Sequence, residues 1–273
     1  MNARQVSRID LSPEIVDCIV FWTKNPLPML DKLDALKDYQ YYFQFTLTGY
    51  GRDMEPGLPE KRKQMMDIFR RLSLQIGKER VVWRYDPIMF TDKYTAEYHI
   101  RAFRAIAEGL RGYTERVVIS FLDLYAKTKK NMRGIKLTSL EEGIFFDFVS
   151  RLSAIAGENG MSIATCAEEI DLSPYGIGHS SCIDRELIEK ITGCKIKAKK
   201  DRNQREVCGC VESIDAGTYH TCRNGCKYCY ANDSEEKVRR SCKMYNPRSP
   251  ILCGVITEED KITERRVGSL REE

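Results

Sequence analysis

The sequence predicts an α/β fold on a parallel sheet: a TIM-type β/α barrel or part of one, with a C-terminal cysteine-rich cluster-binding segment. Three observations predict it. Short apolar runs alternate with stretches of helical spacing, strand following strand at steps of roughly 20 to 45 residues, the rhythm of β–α units. The runs are apolar along their length, as strands buried on both faces are. No glycine-rich dinucleotide loop is present, which favours a barrel over an open doubly wound sheet.

Residues 18–22 (CIVFW) are the first such run and are read as a strand. Residues 28–38 set Leu30, Leu33 and Leu36 at helical spacing, and 41–47 (YYFQFTL) form the second strand. A polar loop with Gly49, Gly51, Pro56, Gly57 and Pro59 leads to a helix over 60–76, with Met65, Ile68, Phe69 and Leu72 on one face. The third strand, 80–85 (RVVWRY), is stopped by Pro87, which has no N–H for a ladder. A helix over 94–110 aligns Ile100, Phe103, Ile106 and Ala107. The fourth strand is 116–122 (RVVISFL), a long helix fills 139–157, and the fifth strand is 161–166 (MSIATC). Beyond residue 166 the pattern degrades. Residues 195–205 (KIKAKKDRNQR) hold six Lys or Arg, and the tail from Thr257 is charged with both signs and poor in apolar groups, so mobility is expected there. The chain thus divides into a partial barrel over 1–194, a cysteine-rich segment over 195–256 that completes it, and a charged tail over 257–273.

At 273 residues the chain can bury a sizeable core without disulfides. No apolar run reaches the roughly 18 residues of a membrane span. The N-terminal stretch MNARQVSRID lacks the apolar core of a secretory signal, so a cytoplasmic location and no membrane partner are expected. A net charge of +4 is too small to argue for nucleic acid by itself.

Polar residues gather where the strands end. Thr23, Lys24 and Asn25 follow the first strand, and Thr46 and Thr48 the second. Arg84 and Asp86 follow the third, Ser120 and Asp123 the fourth, and Glu168 and Glu169 the fifth. In a parallel barrel these ends share the face on which active sites are built. Strand ends also meet water, so each position alone is equally read as solvation. As a set, Lys24, Asn25, Thr46, Arg84, Asp86 and Glu168 are the candidate cofactor and pocket groups.

Eleven cysteines stand against only three histidines, His99, His179 and His220, which disfavours a mixed His/Cys metal site. Without a secretory signal, a thiol cluster points to metal or redox chemistry rather than disulfides. Cys222, Cys226 and Cys229 have the spacing C-x3-C-x2-C. Three thiolates on a short loop can hold three irons of a [4Fe–4S] cluster and leave the fourth iron open; zinc and inert thiols are the alternatives. Cys208-Gly-Cys210 lies just upstream and could form a second site with Cys166 and Cys182, or all four could be buried small hydrophobes. Cys18 is read as core, and Cys194, Cys242 and Cys253 have no readable spacing.

The loop Cys222-RNGCKYCYA, with its aromatic before the third cysteine, resembles the cluster signature of the radical S-adenosylmethionine superfamily, in its spore photoproduct lyase-like branch. TKNPLPMLDKLDAL (23–36), FTLTGYGRDMEPGLPEKR (45–62) and RYDPI (84–88) resemble other segments of that branch. There the cysteine loop follows the first barrel strand; here it comes last, so the resemblance is to a circularly permuted member, which is tolerable where joined ends lie close. The whole chain, including VFWTKNP and CGCVESIDAGTYHTCRNGCKYCYA, resembles the family called domain of unknown function 1848, whose members carry a further S-R-R-T-D-I-P-A-like stretch ahead of the first matching strand.

The resemblance implies that Cys222, Cys226 and Cys229 bind a [4Fe–4S] cluster and that its open iron chelates S-adenosylmethionine. One electron from a donor then releases a 5′-deoxyadenosyl radical, which takes hydrogen from a substrate. Tyr228 is expected to pack beside the cluster. The substrate is a small molecule or, from the lyase-like branch, a nucleic acid, whose phosphates the 195–205 stretch could touch; that stretch reads equally as a solvated linker. The alternatives are an electron-transfer or redox-sensing cluster protein without radical chemistry, and a zinc-stabilised binding module.

Overall fold

Each apolar run in the sequence becomes a strand because its side chains have something to cover them on both sides. The computed structural model describes residues 5–124 and 126–272, without the side chains of Lys61, Arg62, Ala126 and Lys127; Arg62, the arginine of the resembling 45–62 stretch, thus falls outside them. In chain order the strands are β1 (Gln5–Arg8), β2 (Ile19–Thr23), β3 (Tyr41–Thr46), β4 (Val81–Ile88), β5 (Arg116–Phe121), β6 (Ser162–Cys166), β7 (Gly178–Ser180) and β8 (Lys261–Glu264). The helices are α1 (Leu27–Leu30), α2 (Met66–Ile76), α3 (Ala96–Leu110), α4 (Ala126–Asn131), α5 (Glu142–Glu158), α6 (Arg185–Thr192) and α7 (Glu235–Met244).

Strands β2 to β7 form one parallel sheet in sequential order, so each connection returns the chain beside the strand it left. That winding is the one a barrel uses, but the sheet does not close. It has six strands, and β7 is only three residues long. A barrel of this type needs about eight strands to bring its edges together.

One face packs against the helices. Phe43, Phe45, Trp83, Tyr85, Val117 and Ile119 are buried there against Phe69 of α2, Phe103 of α3 and Phe148 of α5. Phe103 stacks on Trp83 at 4.7 Å, and the Trp83 indole N–H donates to the Leu47 carbonyl at 2.8 Å. Burying each such side chain contributes roughly 1.5–3 kcal/mol. The helix faces expected from spacing are those buried: Ile68, Phe69 and Leu72 in α2, and Ile100, Phe103, Ile106 and Ala107 in α3. Thr95 caps α3 by accepting from the Tyr98 N–H at 3.2 Å.

The other face is covered by the chain beyond β7. Tyr42, Val82, Val118 and Cys166 pack there with Leu187, Ile188, Ile196, Ala198 and Val211. This coverage explains why the strands read as apolar throughout rather than alternating.

Three boundaries differ from expectation. β4 runs past Pro87 to Ile88, because the ladder to β5 shifts register between Tyr85 and Ile88 and asks no hydrogen bond of the proline. The helix expected over 28–38 is the single turn α1 and a 3-10 turn at Leu33–Leu36, which still bury Leu30 and Leu33. α5 starts after Thr138, whose N–H donates to the Phe90 carbonyl at 2.9 Å in a short bridge. The tail from Thr257 carries β8, which pairs in parallel with β1, and the Leu270 N–H donates to Asp17 at 2.9 Å. No helix among the described residues is long and apolar enough to cross a membrane.

His99 is fully buried in this core; one ring nitrogen meets the Tyr85 hydroxyl at 2.8 Å and the other the Met89 carbonyl at 2.9 Å. Burial pushes it down from 6.5 to about 4. Below 6.5 the unfolded chain takes a proton that the folded chain refuses until about 4, so this group's contribution is complete above 6.5 and lost as pH falls between those values. The expected loss is about 3 kcal/mol of unfolding free energy between pH 7 and pH 4. Urea titrations at the two pH values read it, and His99→Gln should flatten the dependence; equal slopes in both proteins contradict the assignment.

Candidate metal centre

The cysteine loop closes on itself through its own backbone. The Cys229 N–H donates to the Cys226 carbonyl at 3.1 Å, and Asn232 Nδ2 donates to the Cys222 carbonyl at 2.7 Å. Gly225 sits in the left-handed region at φ 63°, which a glycine adopts without strain. Asn131, at the end of α4, holds the loop from outside through its Nδ2, at 3.2 Å from the Cys229 carbonyl and 2.8 Å from that of Asn232.

The segment after β3 receives this loop. The Lys227 N–H donates to the Met54 carbonyl at 3.0 Å, and the Gly57 N–H to the Asn224 carbonyl at 2.9 Å. A Cβ at Gly57 would stand 2.8 Å from the carbonyl oxygens of both Arg223 and Asn224, so only glycine allows the approach. The Gly/Pro-rich loop of the sequence is therefore a seat for residues some 170 positions later.

Beneath the seat lies Glu55, 1% exposed. Its carboxylate accepts from Lys24 Nζ at 3.0 Å, from the Thr48 hydroxyl at 3.1 Å, and from the Tyr228 hydroxyl. Lys24 Nζ stands 5.3 Å from the centre of the Tyr228 ring. Tyr228 is buried. Burial pushes the Cys226 thiol up to about 12; the Lys24 ammonium opposes this, while Glu55, Cys222 and Cys229 add to it. The three cysteines thus share one electrostatic neighbourhood with one cation in it.

A second polar group lies at the ends of β4 and β5. Arg84 is 5% exposed and donates to Asp86 Oδ2 through Nε at 2.9 Å and Nη2 at 2.6 Å. Its Nη1 reaches Gln44 Oε1 at 3.4 Å and Cys182 Sγ at 3.1 Å. The Ser120 hydroxyl donates to the other Asp86 oxygen. Burial works to raise the Asp86 carboxyl, but Arg84, Ser120 and Lys24 together hold it below the usual carboxylate range.

Of the candidate pocket residues, Lys24, Arg84 and Asp86 belong to these groups, and Thr46 pairs with Arg84 in the strand register. Glu168 accepts the Phe121 N–H at 2.8 Å, and burial pushes its carboxyl up. Asn25 is engaged locally, its side chain accepting the Leu27 N–H at 3.2 Å. Cys166 and Cys182 come together, Sγ to Sγ 3.1 Å, in the cluster that buries Cys208 and Cys210. Two participants were not among the candidate residues, although Glu55 lies in the 45–62 stretch that carries the resemblance. Glu55 stands before a proline in an aperiodic loop, and Cys242 of α7 has no spacing partner, yet its Sγ accepts from Arg223 Nε at 3.2 Å and lies within reach of Cys222.

Among the described residues no three histidine, cysteine or carboxylate side chains are gathered as the ligands of a single metal ion. Two clefts of about 220 and 240 Å³ are present, one away from the loop and lined by Lys78, Glu115, Arg116 and Lys190, the other lined by Thr48, Met66, Tyr98 and Arg101. No curated protein and no solved structure matches the chain. A family profile matches residues 1–231, a span that takes in the whole sheet and ends two residues past Cys229. The chain belongs to the family described as domain of unknown function (DUF1848).

Proposed function

We propose that Cys222, Cys226 and Cys229 hold a [4Fe–4S] cluster and that the chain is a radical S-adenosylmethionine-type enzyme built on an incomplete barrel. The supporting observation is the seat: a three-cysteine loop that follows the sheet in the chain lies against the segment after β3 through Met54, Gly57 and Glu55. The donors suit the group. Soft thiolates fit iron–sulfur chemistry, and a cubane spreads its ligands over separate irons, so its thiols need not meet at one point as they must around zinc. Bound there, the cluster would supply the electron that cleaves S-adenosylmethionine. The chain's own residues orient and shield: Lys24 offsets thiolate charge, Tyr228 and Glu55 fix the loop, and the paired Arg84 and Asp86 form the polar floor beside it. In the 195–205 stretch, Lys195 pairs with Glu189 at 2.7 Å and Arg205 with Asp123 at 2.5 Å, which favours a small-molecule substrate over a phosphate backbone.

Cys242 favours a second reading. As a fourth thiolate beside Cys222 it would fill the open iron and leave an electron-transfer or sensing cluster. Anaerobic reconstitution with iron and sulfide, then reduction with S-adenosylmethionine present, separates the two. The enzyme forms 5′-deoxyadenosine and keeps its cluster in Cys242→Ala; an electron-transfer protein forms none and loses iron in that variant. In Cys226→Ala the loop's iron is expected to be lost with circular dichroism unchanged, and undiminished iron refutes the ligand assignment.

A further inference from the structure

We propose that Cys166, Cys182, Cys208 and Cys210 form a second thiolate site, for one soft divalent ion of the zinc class, beneath the sheet and independent of the 222–229 loop. Three remote segments deliver these residues to one place. Cys166 ends β6, Cys182 lies two residues past β7, and Cys208 and Cys210 are on the segment that crosses under the sheet. Cys166 and Cys182 touch at 3.1 Å, and Cys210 adjoins Cys182 on one side and Cys208 on the other.

The segments are locked together by their backbones. The Val211 N–H donates to the Ile183 carbonyl at 3.2 Å. A Cβ at Gly209 would stand 2.6 Å from the Ser181 hydroxyl, which shows how closely the ribbon lies against the residue before Cys182.

The sulfurs are hydrogen-bond acceptors. Arg84 Nη1 donates to Cys182 at 3.1 Å, and the Ile183 N–H donates to Cys210 at 3.3 Å. A neutral thiol accepts weakly, and four thiols packed merely as small hydrophobes need neither a backbone N–H nor a buried guanidinium. A metal-bound thiolate uses both, as the outer hydrogen bonds that orient and tune such ligands.

The four sulfurs do not already surround one point, and the close pair Cys166 and Cys182 sets the adjustment that a single ion requires. With Zn–S about 2.3 Å, tetrahedral sulfurs stand about 3.8 Å apart, so Cys166 and Cys182 need to part by only about 0.7 Å. The row of thiols closes around the ion as binding proceeds: four thiols and one M²⁺ give the tetrathiolate and four released protons. Its two negative charges then face Arg84.

The test uses the full chain with Cys222, Cys226 and Cys229 all changed to Ser, so that failure of the loop reading cannot affect it. Cobalt(II) is the probe. The expected result is one equivalent bound, with a near-ultraviolet thiolate charge-transfer band that zinc abolishes and that Cys182→Ser removes. No band, or a band unchanged by Cys182→Ser, overturns the proposal. Should Cys182→Ser fail to fold, zinc protection is read instead by N-ethylmaleimide labelling and peptide mass mapping. Protection of all four cysteines supports the site, and equal labelling with and without zinc overturns it. Uptake of iron together with sulfide, in place of the cobalt band, assigns a cluster and also overturns the single-ion proposal.

Discussion

Glu55→Ala is expected to melt about 10 °C below the parent chain and to free the cysteine loop. The substitution removes the carboxylate that Lys24 Nζ pairs with at 3.0 Å, from a lysine side chain only 16% exposed, and takes an acceptor from the Thr48 and Tyr228 hydroxyls. Breaking a buried pair by deleting one partner costs about 3–5 kcal/mol, because the remaining charge stays desolvated. Glu55→Gln keeps the volume and an acceptor oxygen, so its loss should be smaller. A general loss of stability and a local one are told apart by limited proteolysis. Cleavage within 218–232 should rise in Glu55→Ala while the circular dichroism of the sheet persists. Parental melting with unchanged cleavage would show that Glu55 does not anchor the loop.

Arg84→Met is expected to cost a similar amount, about 3–5 kcal/mol, for the mirror-image reason. It strands Asp86, whose carboxyl depends on Arg84 to remain low against burial. The two proteins should respond oppositely to acid. In the parent the Asp86 carboxyl is low, so its contribution is complete above the ordinary 3.8 and is lost as pH falls through the folded value. In the variant only Ser120 and Lys24 still oppose burial, so the carboxyl moves up from its parental position, protonation relieves the stranded charge and acidification narrows the gap between the proteins. Adding Asp86→Asn to Arg84→Met should recover part of the loss, since coupled neighbours are not additive. Additive losses in the double variant, with parallel pH profiles, would remove the pair from the account.

The sheet was legible because its information is local. Each strand from β2 to β6 is an apolar run long enough to show itself, and α2 and α3 bury the residues their spacing selects. What escaped is non-local or short. β7 has three residues, too few for any period, and β1 finds β8 more than 250 residues away. The same division governs the site. Cys222, Cys226 and Cys229 announce themselves by spacing, Lys24 by following a strand, and Arg84 and Asp86 as charges in an apolar run that the structure extends through them to Ile88. Glu55 becomes important only because a distant loop settles over it, and nothing in MEPGLPE records that burial. Cys242 reaches Cys222 from a helix whose exposed faces carry no core pattern.

Because the loop follows its seat in the chain, the seat is synthesised first. A ribosome releases β2 to β4 and the Gly57 turn well before Cys222 leaves the exit tunnel, so during translation the pocket around Glu55 stands open to water. On the proposed cluster reading, iron can be taken up only after Cys229 has emerged, and a nascent chain stalled before Tyr228 would present the Lys24–Glu55 pair without its cover.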